Sequence, residues 1–231
     1  MKNLFKTFAM MAMGVIAMSN YALAQESCEG HHHENHSRLF ARKDFGVYLG
    51  LNTFYKPTAM PDLKPWDSRY VALQWRKNQR LFSGRQMDVA LGTGWEMAWN
   101  NYMFDKDIRV VNDGGIADFV RLNQPVNKSK LVVANINVPL MLQFGFHESN
   151  FRLGFGVYGG VRVDSYQKIE GGRIDKIVRE HDSYNLNKFN YGFMAEAGGK
   201  GIKVFVKYDM KPLFKDLNDS NANAISFGVR I

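Results

Sequence analysis

Residues 87–100 alternate strictly between two kinds of side chain. Met87, Val89, Leu91, Thr93, Trp95, Met97 and Trp99 make a broad apolar series, and Asp88, Ala90, Gly92, Gly94, Glu96, Ala98 and Asn100 fill the places between them. A period of two puts each series on one face of a β-strand, where a helix would scatter both around its axis. The second face carries two acids and two glycines, which is too polar for the core of a soluble sandwich. The first is too greasy for water. Both are satisfied when the strand lies in a bilayer, apolar side to lipid and polar side to a narrow interior.

The alternation recurs in seven other segments: 44–55, 68–81, 131–146, 151–164, 188–198, 202–210 and 223–231. Val47, Leu49 and Leu51 are the apolar set of the first, and Ile225, Phe227, Val229 and Ile231 that of the last. Short connections near Gly84, Glu148–Asn150 and Gly199–Lys200 alternate with long ones at 56–67, 104–130, 165–187 and 211–222. The expected fold is all-β: an eight-stranded antiparallel up-and-down transmembrane β-barrel, with short turns and both termini periplasmic and long loops outside.

Partners in a hairpin share a face, so parity also predicts register. Phe146 should oppose Phe151, and Phe144 oppose Leu153. Around Gly84, Leu81 should oppose Met87 and Arg80 oppose Asp88. A tight turn over Gly199-Lys200 sets Gly198 against Gly201 and Glu196 against Lys203, with Arg152 in the same layer. Two residues resist the pattern. Lys77 takes lipid-facing parity, where a lysine at the midplane costs about 2–4 kcal/mol, so it should snorkel to the rim or be turned by a bulge. Pro139 cannot donate to a ladder, which predicts a bulge or bend beside it.

Lys2 and Lys6, the apolar run Phe8–Met18 and Ala22-Leu23-Ala24 read as a signal peptide cleaved before Gln25. The run is too short to span a bilayer as a helix. The chain then divides into residues 1–24 as leader, 25–43 as a periplasmic His-rich tail and 44–231 as the barrel. Cys28 is the only cysteine, which excludes an internal disulfide and reads as a free thiol. Export and barrel together imply the outer membrane.

Twelve charged residues take inward parity: Arg76, Arg80, Asp88, Glu96, Arg152, Arg162, Asp164, Glu196, Lys203, Lys207, Asp209 and Arg230. An eight-stranded interior is wide enough only for its own side chains, so these should pair into a plug. His31, His32, His33 and His36 form a weak candidate set for a transition metal, in a tail that shows no supporting shell. His181-Asp182-Ser183 has the residue types of a hydrolytic triad, yet contiguous residues rarely bring the three groups into reach. No catalytic residue and no cofactor are expected. Tyr55, Tyr70, Trp99, Tyr102, Phe104, Tyr166 and Phe189 gather at the long-loop ends, and Phe45, Phe82, Phe146 and Phe151 at the short-turn ends, as two aromatic girdles. Gly171-Gly172 reads as a hairpin tip above the membrane. The net charge of +8 is spread without a local basic run, so nucleic acid is not an expected partner. Outer-membrane lipid is, with lipopolysaccharide phosphates a further contact for basic loop residues.

Asn135-Ile136-Asn137-Val138-Pro139-Leu140-Met141-Leu142, Trp99-Asn100-Asn101-Tyr102-Met103-Phe104 and the closing Ser226-Phe227-Gly228-Val229-Arg230-Ile231 resemble the PorT-like outer-membrane β-barrel family, typical of Bacteroidetes-type bacteria. The resemblance covers roughly 44–231. It implies a membrane barrel without known catalytic residues, and for some members a place in the type IX secretion and gliding machinery. Three function classes follow: a structural or interaction barrel with a filled lumen, a subunit of an envelope machine with an unknown protein partner, and, as the remote alternative, a lipid A-modifying enzyme.

Overall fold

The computed structural model describes residues 40–55, 60–105, 107–113, 116–122, 126–171, 178–215 and 222–231. The segment expected as a leader, residues 1–24, lies outside them, as do Cys28 and His31, His32, His33 and His36. Among the described residues every regular element is a strand: β1 Lys43–Tyr55, β2 Arg69–Ser83, β3 Met87–Met103, β4 Ile108–Asp113, β5 Ile116–Arg121, β6 Lys128–Phe146, β7 Arg152–Glu170, β8 Val178–His181, β9 Phe189–Gly198, β10 Lys203–Asp209 and β11 Asn223–Arg230.

Eight of these form a ring in the order β1, β2, β3, β6, β7, β9, β10, β11, each antiparallel to the next and β11 returning to β1. Paired residues can be followed once around it. The path from Lys43 runs through Lys77, Thr93, Leu140, Val157, Phe193, Tyr208 and Ile225 and meets β1 again at Thr53, ten residues further on. That stagger is what tilts the strands of a barrel. The outward positions Trp75, Phe155, Phe193 and Val204 are exposed, while Gln74, Glu96 and Glu196 are buried inside. This is the inverse of a water-soluble protein.

The predicted registers meet the structure unevenly. Phe144 opposes Leu153 as expected, and Phe146 N–H donates to the Phe151 carbonyl across a turn that places Asn150 at φ 52°. At the β2–β3 turn, however, Leu81 bulges out of the ladder, so Arg80 opposes Ala90 and Asp88 opposes Ser83. At the β9–β10 turn four residues, Gly199–Ile202, replace the expected two: Lys203 opposes Gly198, and Glu196 opposes Phe205. That slip is by an even number, so Glu196 and Lys203 still share the inward face. No bulge marks Pro139. The β3–β6 ladder holds its register across it and omits only Gly94 and Trp95, opposite Pro139 and Val138.

A bulge does occur in β7, where Asp164 opposes Ala134 but Arg162 already opposes Asn135. Val163 is the extra residue. Beyond it Ser165 and Gln167 turn inward, and Asp164, expected in the lumen, faces out. β7 then runs on to Glu170 and pairs with β8. This makes the expected hairpin, but Gly171 sits at the end of its first arm and residues 172–177 lie outside the described set. The 104–130 connection, read as a plain loop, contains the β4–β5 hairpin.

At the long-loop end these hairpins and loops share an apolar core. Tyr102, Phe104, Leu131, Val133 and Ala224 contribute from ring strands or just beyond them. Ile108, Val110, Ala117, Tyr184, Leu186 and Phe214 come from the connections, with Phe54, Met60, Leu63, Phe119 and Leu213 packed around them. Tyr102 and Phe104 therefore belong to this cap, and Tyr70 to the lumen, rather than to a lipid girdle. Phe45, Phe82, Phe146, Phe151, Tyr55 and Phe189 do lie exposed.

Candidate functional site: the charged lumen

Period-two patterning aims β1 and β2 residues of even number and β10 residues of odd number into the ring, where two layers of charge meet. In the layer nearer the short turns, Arg76 spans to Glu196 at 3.2 Å and to Asp44 at 3.1 Å. Arg230 donates to the same Asp44 oxygen at 2.6 Å, and Lys203 stands 3.8 Å from Glu196. Tyr48 donates its hydroxyl proton to Glu196 and lies 2.9 Å from the Gln74 amide oxygen. Arg76 also reaches the Met141 sulfur at 2.8 Å.

The second layer is centred on Glu96. Its carboxylate accepts from Lys207 at 2.5 Å, Asn137 at 2.9 Å, and Tyr70 and Gln74 at 3.2 Å. The Lys207 ammonium also lies 4.2 Å from the centre of the Tyr158 ring, and Tyr158 donates to Asp209. Gln74 touches both layers, so the two form one connected network. A buried carboxylate with four donors is a fully satisfied group, the condition under which buried charge is tolerated.

Small residues make room for these long side chains. A Cβ at Gly46 would sit 2.5 Å from Arg230 Nε, and one at Gly92 would sit 2.7 Å from Arg76 Cδ. Inward glycines beside inward arginine side chains are thus part of how the sequence encodes the layer.

Of the twelve expected lumen charges, Arg76, Glu96, Glu196, Lys203, Lys207 and Arg230 meet here, and Asp209 joins through Tyr158. Five do not. Arg80 is exposed just before the Leu81 bulge. Asp88 accepts from Ser83 at 2.6 Å and faces His147 at 3.4 Å near the turns. Arg152 lies over the Phe40 ring at 5.5 Å, and Arg76 takes the place expected for it beside Glu196. Arg162 donates to Ser165 and to the Ser183 carbonyl, tying down the loop before β9. Asp164 pairs on the outside with His181 Nδ1 at 3.2 Å.

Parity could have found what was missed. Asp44, Tyr48, Tyr70 and Tyr158 take the inward positions of their strands, and of the tyrosines only Tyr70 is expected in a girdle; the role of all three as hydroxyl donors to lumen carboxylates is what charge parity alone does not show. The His181-Asp182-Ser183 triad does not assemble as written: His181 partners Asp164, and the Asp182 carboxylate accepts the Ser183 backbone N–H at 2.6 Å. Among the described residues, no group of three His, Cys, Asp or Glu is placed to hold a metal ion.

Neither a curated protein nor a solved structure matches the chain. A family model does, over residues 24–215. The ring, its apolar exterior and its charged interior agree with that match: the chain belongs to the outer membrane protein beta-barrel domain family, and its place is the outer membrane.

Proposed function

We propose that the protein is a plugged, non-conducting barrel that works through the surfaces it offers to lipid and to macromolecular partners at its ends, not through its lumen and not as an enzyme. The observation that carries this is the span of the two ion pairs. Arg76 and Glu196, on β2 and β9, and Lys207 and Glu96, on β10 and β3, each join strands four steps apart in a ring of eight. Side chains that meet across the full diameter leave no path for solute between them. The apolar cap adds a second barrier at the other end. On this reading the short turns face the periplasm and the capped loops face outward. The purified protein in a planar bilayer should show no stable conductance, and steady single-channel steps of porin size would overturn the proposal.

The PorT-like resemblance supports a narrower version, in which the barrel is a subunit of an envelope machine such as the type IX secretion apparatus. Extraction in mild detergent tests it. A subunit brings stoichiometric partners with it, and a barrel that elutes alone is not one.

A further inference from the structure

Lys43 and Lys77 oppose each other directly across the β1–β2 ladder, and Lys77 in turn opposes Thr93 on β3. Both take outward parity, so two ammonium groups share the apolar face near the short-turn end. Neither has an ion-pair partner among the described residues. Like charges opposed across a ladder repel, and lysine on a lipid face is costly. The surroundings are aromatic: the Phe45 and Trp75 rings are 4.9 Å apart, and Trp75 stacks on Trp95 at 4.1 Å. These residues line a notch of about 350 Å³ together with Gly94, Arg76 and Asp44, whose carboxylate is already paired with Arg76 and Arg230.

We propose that this notch holds the phosphate of an anionic phospholipid from the leaflet at the short-turn end. A phosphate between the two ammonium groups replaces their repulsion with two charge-assisted contacts. The lysine stems lie along apolar surface while their heads reach the head-group level. The indole rings sit where tryptophan is favoured, at the boundary of hydrocarbon and head groups. The acyl chains then run over the outward pair Leu73 and Met97, the next along the same face. A free phosphate would satisfy the lysines but leave the aromatic half of the notch unused. The occupant is therefore a membrane lipid. The proposal depends on which face meets lipid, and it is independent of whether the lumen conducts.

The test reconstitutes the whole protein in phosphatidylcholine vesicles carrying equal mole fractions of either brominated phosphatidylglycerol or brominated phosphatidylcholine. Tryptophan fluorescence should be quenched more by the brominated phosphatidylglycerol. The excess should vanish in the Lys43→Gln/Lys77→Gln double variant and persist in Lys43→Arg/Lys77→Arg. Equal quenching by the two lipids in the wild type, or an excess that survives the glutamine pair, would overturn the proposal. So would an excess abolished by soluble glycerol phosphate, since that would make the notch a phosphate site and not a lipid site. Quenching by neither lipid would overturn the bilayer placement and this proposal with it, whereas a conducting lumen would leave it standing.

Discussion

Arg76 and Glu196 stand on opposite sides of the ring, and their side chains meet at 3.2 Å with both groups buried. The carboxylate is also the partner of Lys203 and Tyr48. Removing it leaves the buried Lys203 without its acid and leaves Arg76 only Asp44, which Arg230 already shares. Glu196→Ala should therefore destabilise the barrel by about 3–5 kcal/mol, the cost of breaking a buried ion pair from one side. Arg80→Ala, at an exposed position without such a partner, should stay within about 0.5 kcal/mol of wild type. Urea unfolding in lipid vesicles measures both, and equal midpoints for the two variants would sink this account of the lumen.

The β7 bulge makes a sharp prediction about facing. With Val163 as the extra residue, Asp164 is outside and Ser165 inside. Asp164→Cys should react readily with a water-soluble maleimide, and Ser165→Cys should be protected. The reverse order of rates would place the bulge elsewhere.

Close backbone approach singles out Gly94. A Cβ there would lie 1.9 Å from the Trp75 carbonyl oxygen, an atom that cannot rotate away, whereas at Gly199 it would meet nothing within 4 Å. Gly94→Ala should cost about 1–3 kcal/mol, as overpacking does. Gly199→Ala should be close to neutral. Thermal unfolding monitored by the mobility shift of the folded barrel on a gel compares them directly.

Tyr184 gives the cap a pH dependence. Burial pushes its phenol from the ordinary 10.0 up to about 12. The folded state therefore favours the protonated hydroxyl, which donates to the Glu180 carbonyl. The stability this group contributes is fully present below pH 10 and is lost as pH rises from about 10 to about 12. Denaturant midpoints of wild type and Tyr184→Phe should converge over that window. A difference that stays constant from pH 8 to 12 would remove Tyr184 titration as the cause.

How much of this was legible in the sequence depended on whether parity alone could decide it. The faces of β1, β2, β3, β6, β9, β10 and β11 follow from side-chain alternation, because a one-residue error would turn a whole apolar set into the lumen. The turn at Glu148–Asn150 was equally constrained, with aromatic residues paired on both arms. The turns at Gly84 and Gly199 were not. At Gly199 the slip is by an even number, which leaves every face unchanged, so hydrophobicity carries no information about it; at Gly84 the bulge at Leu81 turns Phe82 outward, and nothing in the pattern announces the bulge. Asp164 was lost for a related reason: a bulge reverses parity, and nothing in Arg162-Val163-Asp164 announces one. The cap was invisible because its apolar residues are scattered through segments without a period. Leu186 and Phe214, for instance, come together where an isolated bridge joins two loops.

The cap core takes Ala224 from the last ring strand and is packed against by Phe54 from the first, so the residues that build it are separated by most of the length of the barrel sequence. No partial set of strands can complete such a core, since contacts this distant in sequence form only after the intervening chain is placed. Its assembly is therefore a late event that waits on the meeting of β11 with β1. Protection of Tyr184 and Leu186 becomes a timer for insertion.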